Sequence, residues 1–68
     1  MTKQEWQKFD DMVREFESAP NTHLYEITFY YGDGTTDTMN VRVDAIAIQW
    51  LTYYVAYCGM HAKAKLLQ

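Results

Sequence analysis

Leu24-Tyr25-Glu26-Ile27-Thr28-Phe29-Tyr30-Tyr31 is followed by Gly32-Asp33-Gly34 and, a few residues on, by Thr38-Met39-Asn40-Val41-Arg42-Val43. Tyr25, Ile27, Phe29 and Tyr31 alternate with Leu24, Glu26, Thr28 and Tyr30, a period of two that puts the first set on one face of a strand. Met39, Val41 and Val43 alternate in the same way with Thr38, Asn40 and Arg42. Asp-Gly between two such runs is a strong short-range hairpin signal. Apolar residues at odd numbers in both runs predict a two-stranded antiparallel hairpin with one apolar face, its register left open.

On the N-terminal side, Thr2-Lys3-Gln4-Glu5 matches a capping box, a hydroxyl at the N-cap with a glutamate three residues on. Trp6, Phe9, Met12, Val13 and Phe16 then recur at helical steps, with Lys8, Asp10, Asp11, Arg14, Glu15 and Glu17 on the other face. Pro20 ends this helix, because proline disfavours helical geometry in the residue before it. On the C-terminal side, Asp44 is an N-cap placed directly after the second strand. The helix it opens is expected to run to Lys65 or beyond, with Lys63 and Lys65 complementing the dipole at its end. Gly59 is the weak point, and a break there would leave Met60 to Gln68 as a separate turn. The expected fold is α+β, a single αββα domain over residues 1–68, with two helices flanking the hairpin. Met1 ahead of a capped helix reads as the start of a complete chain.

The second helix raises the question of what covers it. Projected at 100° per residue, Ile46, Trp50, Tyr53, Tyr57, Met60 and Ala64 fall on one side. Ile48, Leu51, Val55, Cys58, Ala62 and Leu66 fall on nearly the opposite side. A helix apolar around most of its circumference is normally buried on more than one side. A hairpin and one short helix are thin cover for it, and an isolated hairpin has two open edges that invite pairing. Both problems point to a homodimer that completes the domain. The self-interface is assigned to Ile48, Leu51, Val55, Cys58 and Ala62.

Composition narrows the function classes. Sixty-eight residues and 8.0 kDa hold one small core. Six Lys and Arg against nine Asp and Glu give a net charge of −3, which makes nucleic acid an unlikely partner. Ala45 to His61 carries no charged residue, but its polar Gln49, Thr52, Gly59 and His61 argue against a membrane span. With no signal sequence at the N-terminus and one cysteine, the expected compartment is the cytoplasm.

The chain offers little for catalysis. His23 and His61 lie in different elements without ligand spacing, so no metal or other cofactor is expected. Cys58 with a histidine is the one conceivable nucleophilic pair, yet it sits in an apolar segment with no nearby cation to lower its pKa. Asp10 and Asp11 diverge by about 100° on a helix and read as a solvated face. The expectation is that the chain is not an enzyme.

What remains is a non-enzymatic protein-binding module that occludes a surface of a larger partner. Asp10, Asp11, Glu15 and Glu17 would face a basic groove, and Tyr30 and Tyr54 would be aromatic anchors. In size and acidic composition the chain resembles the accessory proteins that phages and mobile elements use against host defences, anti-CRISPR proteins among them. That resemblance covers no particular residue and implies an inhibitor of a host defence system. Two alternatives belong to other classes. One is a small-ligand or structural dimer enclosing an aromatic pocket lined by Trp50, Tyr53 and Tyr57. The other is a weak nucleic-acid binder that stacks bases on Tyr30 beside Arg42.

Overall fold

The computed structural model describes all 68 residues. Its first element, α1 (Lys3–Glu17), begins where the capping box places it. The Glu5 amide donates to the Thr2 hydroxyl at 3.2 Å, and the Thr2 amide donates to the Glu5 carboxylate at 2.7 Å. Two amide donors that the first turn leaves open are thereby satisfied. The helix ends at Ser18, whose amide and hydroxyl both donate to the Glu15 carbonyl.

The strands β1 (His23–Tyr30) and β2 (Thr36–Val43) pair antiparallel from His23↔Val43 to Tyr30↔Thr36. In the turn between them the Tyr31 amide donates to the Thr35 carbonyl and the Gly34 amide to the Tyr31 carbonyl. Gly34 has φ +89°, a conformation that glycine adopts without the Cβ clash. Asp33 fastens this turn by accepting from both the amide and the hydroxyl of Thr35, and these bonds hold its carboxyl below the usual range.

Helix α2 (Ala45–Tyr57) starts at Asp44, whose carboxylate accepts from the Ala47 amide at 2.7 Å. It does not continue to Lys65. Gly59 takes φ +85°, the left-handed conformation that commonly terminates helices, and the chain reverses. His61–Leu66 is then a third strand, β3, paired antiparallel with β1 from Tyr30↔His61 to Tyr25↔Leu66. The sheet order is β2-β1-β3, so the expected αββα domain is an αββαβ domain. The physical cause is the edge of β1. Left bare, it would expose a row of unpaired amides and carbonyls, and β3 satisfies them within one protomer.

One hydrophobic cluster holds the layers together. Phe9 and Val13 from α1 meet Ile27, Phe29, Val41 and Val43 from the sheet and Ala47, Ile48, Leu51 and Val55 from α2. Phe29 lies edge-to-face with both Trp6 and Phe9, at centroid separations of 5.1 and 5.6 Å. Both helices therefore cover the odd-numbered face of the hairpin.

Ile48, Leu51 and Val55, assigned above to a self-interface, are core residues of the protomer itself and are closed to a second copy. Ala62 is not on a helix at all. It is a half-buried strand residue opposite Phe29. Cys58 is the half-buried C-cap of α2. The sheet and α1 take one of the two apolar stripes of α2, the stripe of Ile48, Leu51 and Val55, which leaves it unable to serve as the self-interface.

Candidate functional site

The outward side of α2 keeps the other stripe. Ile46, Trp50, Tyr53 and Tyr57 are 58–86% exposed. Their spacing of four, three and four residues is that of a heptad seam, the pattern by which one helix meets another. No Asp, Glu, Lys or Arg occurs from Ala45 to His61, so this surface could be covered without stripping water from a charge. Beside it, between α2 and α1, runs a shallow groove of about 300 Å³ lined by Lys8, Met12, Trp50, Tyr53, Tyr54 and Tyr57. The Lys8 ammonium stands 5.6 Å from the Tyr54 ring centroid, within cation–π range, and is the one charge on the groove wall.

At the back of the groove, Tyr54 approaches Cys58 and Glu5. Burial pushes the Tyr54 phenol up to about 12, with the neighbouring Cys58 adding to the shift. Burial likewise pushes the Cys58 thiol up, reinforced by the Glu5 carboxylate beside it. Glu5 itself is lowered, chiefly by the backbone bond from Thr2. A raised thiol pKa keeps Cys58 protonated near neutrality, the opposite of what a nucleophile needs. His61 packs on Tyr30, with ring centroids 5.4 Å apart. No group of three or more His, Cys, Asp or Glu side chains converges as a metal site would require, and no helix is long and apolar enough to cross a membrane.

The six residues assigned to a partner surface do not form one patch. Asp10, Asp11, Glu15 and Glu17 are exposed on α1. Glu17 has a second task, because its carboxylate accepts from the Arg42 amide at 3.3 Å and covers part of the outer edge of β2. Tyr54 is half-buried in the interhelical groove. Tyr30 lies across the molecule on the sheet face that no helix covers, 38% exposed. The structure does bring together Trp50, Tyr53 and Tyr57, and Ile46 extends their row. Both stripes share heptad spacing; the polar tips of Trp50, Tyr53 and Tyr57, against the aliphatic Ile48, Leu51 and Val55, are the signal that separates the outer stripe from its buried neighbour.

No known protein-family model matches the chain, and no curated protein or solved structure matches it significantly either.

Proposed function

We propose that the protein is a non-enzymatic, homodimeric protein-binding module. The observation that carries this reading is the row Ile46, Trp50, Tyr53 and Tyr57. Four large side chains in heptad spacing are left uncovered on a helix whose other side forms the core. Two α2 helices packed antiparallel about a twofold axis set Trp50 of one copy against Tyr53 of the other. The same axis sets Ile46 against Tyr57, so each apolar side chain meets another. Aromatic side chains bury about 150–250 Å² each, so the seam covers roughly 400–600 Å² per copy. That lies below the ~800 Å² per partner of a standard interface and fits a reversible, micromolar pair.

Such a dimer turns the acidic rows of α1 outward. Asp10, Asp11, Glu15 and Glu17 then present negative charge to a basic surface of a larger protein, which the dimer covers sterically. An accessory inhibitor of a host defence system, acting in the cytoplasm, is the setting that size and composition favour. The test is light scattering across a dilution series from about 1 to 100 μM, the range a micromolar pair requires. The wild type should approach twice its 8.0 kDa chain mass at the top of the series, and Trp50→Ala should remain at the chain mass. A wild type that stays at the chain mass throughout would refute the dimer.

The groove between α1 and α2 favours a second reading, a site for a small aromatic ligand lined by Trp50, Tyr53 and Tyr57. Trp6 is half-buried against Phe9 and Phe29, so a ligand in the groove would quench Trp50 and spare Trp6. A Trp6→Phe variant that keeps the full quench would place the ligand at Trp50.

A further inference from the structure

Because His61–Leu66 is a strand, Lys63 and Lys65 do not end a helix but stand on the sheet. Cross-strand partners share a face, and the odd residues of β1 face the core. The opposite face is therefore a grid of three rows: Thr36–Tyr30–His61, Thr38–Thr28–Lys63 and Asn40–Glu26–Lys65, with Arg42 beside Leu24 at the far end. No element packs over it, and Tyr30, Thr38, Asn40, Arg42, His61, Lys63 and Lys65 are all exposed. Three of the six Lys and Arg residues of the protein lie here against one of its nine carboxylates, Glu26. The net charge of −3 thus conceals a positive sheet face and an acidic helix side. The two meet at one place, the outer edge of β2, where Glu17 reaches the Arg42 amide, while Lys63 and Lys65 stand on the opposite edge strand.

We propose that this open sheet face binds single-stranded nucleic acid, with Arg42, Lys63 and Lys65 set against phosphates and the Tyr30–His61 pair stacking a base. The aromatic pair favours this ligand over an acidic peptide. Tyr30 and His61 lie 5.4 Å apart with their planes tilted by 38°, a π surface at the end of a row of cations. Nucleic acid supplies both anions and planar faces, whereas acidic side chains use the cations alone. A duplex fits poorly, since no helix or ribbon projects from this face to enter a groove.

The test is fluorescence anisotropy of a labelled ten-nucleotide oligothymidylate, with a ten-residue polyglutamate peptide and unlabelled oligonucleotide as competitors. Three phosphate contacts predict a slope of log affinity against log salt of about −2, a roughly 16-fold loss between 50 and 200 mM. Lys63→Glu with Lys65→Glu should weaken binding at least tenfold, and Arg42→Gln, on the opposite edge strand, should lower the salt slope by about 0.7. Tyr30→Ala should weaken binding about tenfold at every salt concentration without changing the slope. Gln49→Ala, exposed on α2 on the far side, should bind as the wild type does. Each variant is checked for a native far-UV spectrum, and Arg42→Gln alone decides the matter if the double variant does not fold. The proposal is overturned by no binding at 50 mM salt, or by folded charge variants that bind like the wild type. It is equally overturned by polyglutamate competing as well as the unlabelled oligonucleotide, which would assign the face to an acidic protein.

Discussion

Leu51→Ala tests which side of α2 faces inward. Leu51 is fully buried in the cluster shared by both helices and the sheet. Removing a buried leucine costs about 2.7–5 kcal/mol, the lost transfer energy plus the cavity. A core of this size supplies about 3–5 kcal/mol in total, so the substitution consumes most of the stability. Unfolding entropy near 2.1 cal/mol/K per residue gives about 0.14 kcal/mol/K for this chain, and a loss of 3 kcal/mol lowers Tm by about 20 °C. Far-UV circular dichroism melts at two protein concentrations tenfold apart should show that drop at both, because the lost contacts lie within one protomer. Trp50→Ala should behave differently, removing the concentration dependence of Tm that a dimer confers and changing little in dilute solution. A Leu51→Ala protein melting within 5 °C of the wild type, with Trp50→Ala melting 20 °C lower, would mean that α2 is rotated by half a turn. The core described here would then be wrong.

Other outcomes follow from the caps, the turn and the groove. Thr2→Ala removes one half of the capping box and should cost about 1 kcal/mol, or about 7 °C in Tm. Glu5 is lowered in the folded state, so its contribution is present above its ordinary value of 4.5 and lost as pH falls through the lower folded value; urea midpoints measured from pH 6 to pH 3 should decline below pH 4.5. Gly59→Ala meets no atom within 4 Å, so its cost is the left-handed backbone alone, about 1–2 kcal/mol by chemical denaturation. Tyr54, pushed up to about 12, stays neutral in the fold while the unfolded phenol ionises near 10. Stability should therefore fall between pH 10 and 12, and Tyr54→Phe should remove a late-ionising phenol from the ultraviolet titration.

Local signals were legible where local chemistry decides. The capping box at Thr2, the Asp44 cap, the stop before Pro20 and the hairpin alternation all lie within a few residues of what they control. The third strand was harder to see because its residues pull toward helix. Ala62, Lys63, Ala64, Lys65 and Leu66 are good helix formers and weak strand formers. Their strict alternation, with the lysines at odd positions and Ala62 and Ala64 at even ones, was the strand signal, but the bare edge of β1 is what makes it prevail. The stripes of α2 posed another kind of problem. Ile48, Leu51 and Val55 are aliphatic and compact, while Trp50, Tyr53 and Tyr57 are bulky with polar tips, so side-chain chemistry marked the second set as the outer one. Cys58 and Ala62 fell out of the proposed seam because the helix ends at Tyr57. The charge of the sheet face depends on Lys63 and Lys65 standing on β3, a long-range pairing that no local pattern in the sequence reveals.

The order β2-β1-β3 also has a consequence for refolding. β1 and β2 are joined by residues 31–35 alone and can pair on the microsecond scale of a hairpin, whereas β3 reaches β1 only across α2. Until it docks, His23–Tyr30 has β2 on one side and an open ladder on the other. Refolding at high protein concentration should therefore favour pairing between chains through that edge, and the yield of native protein should rise on dilution.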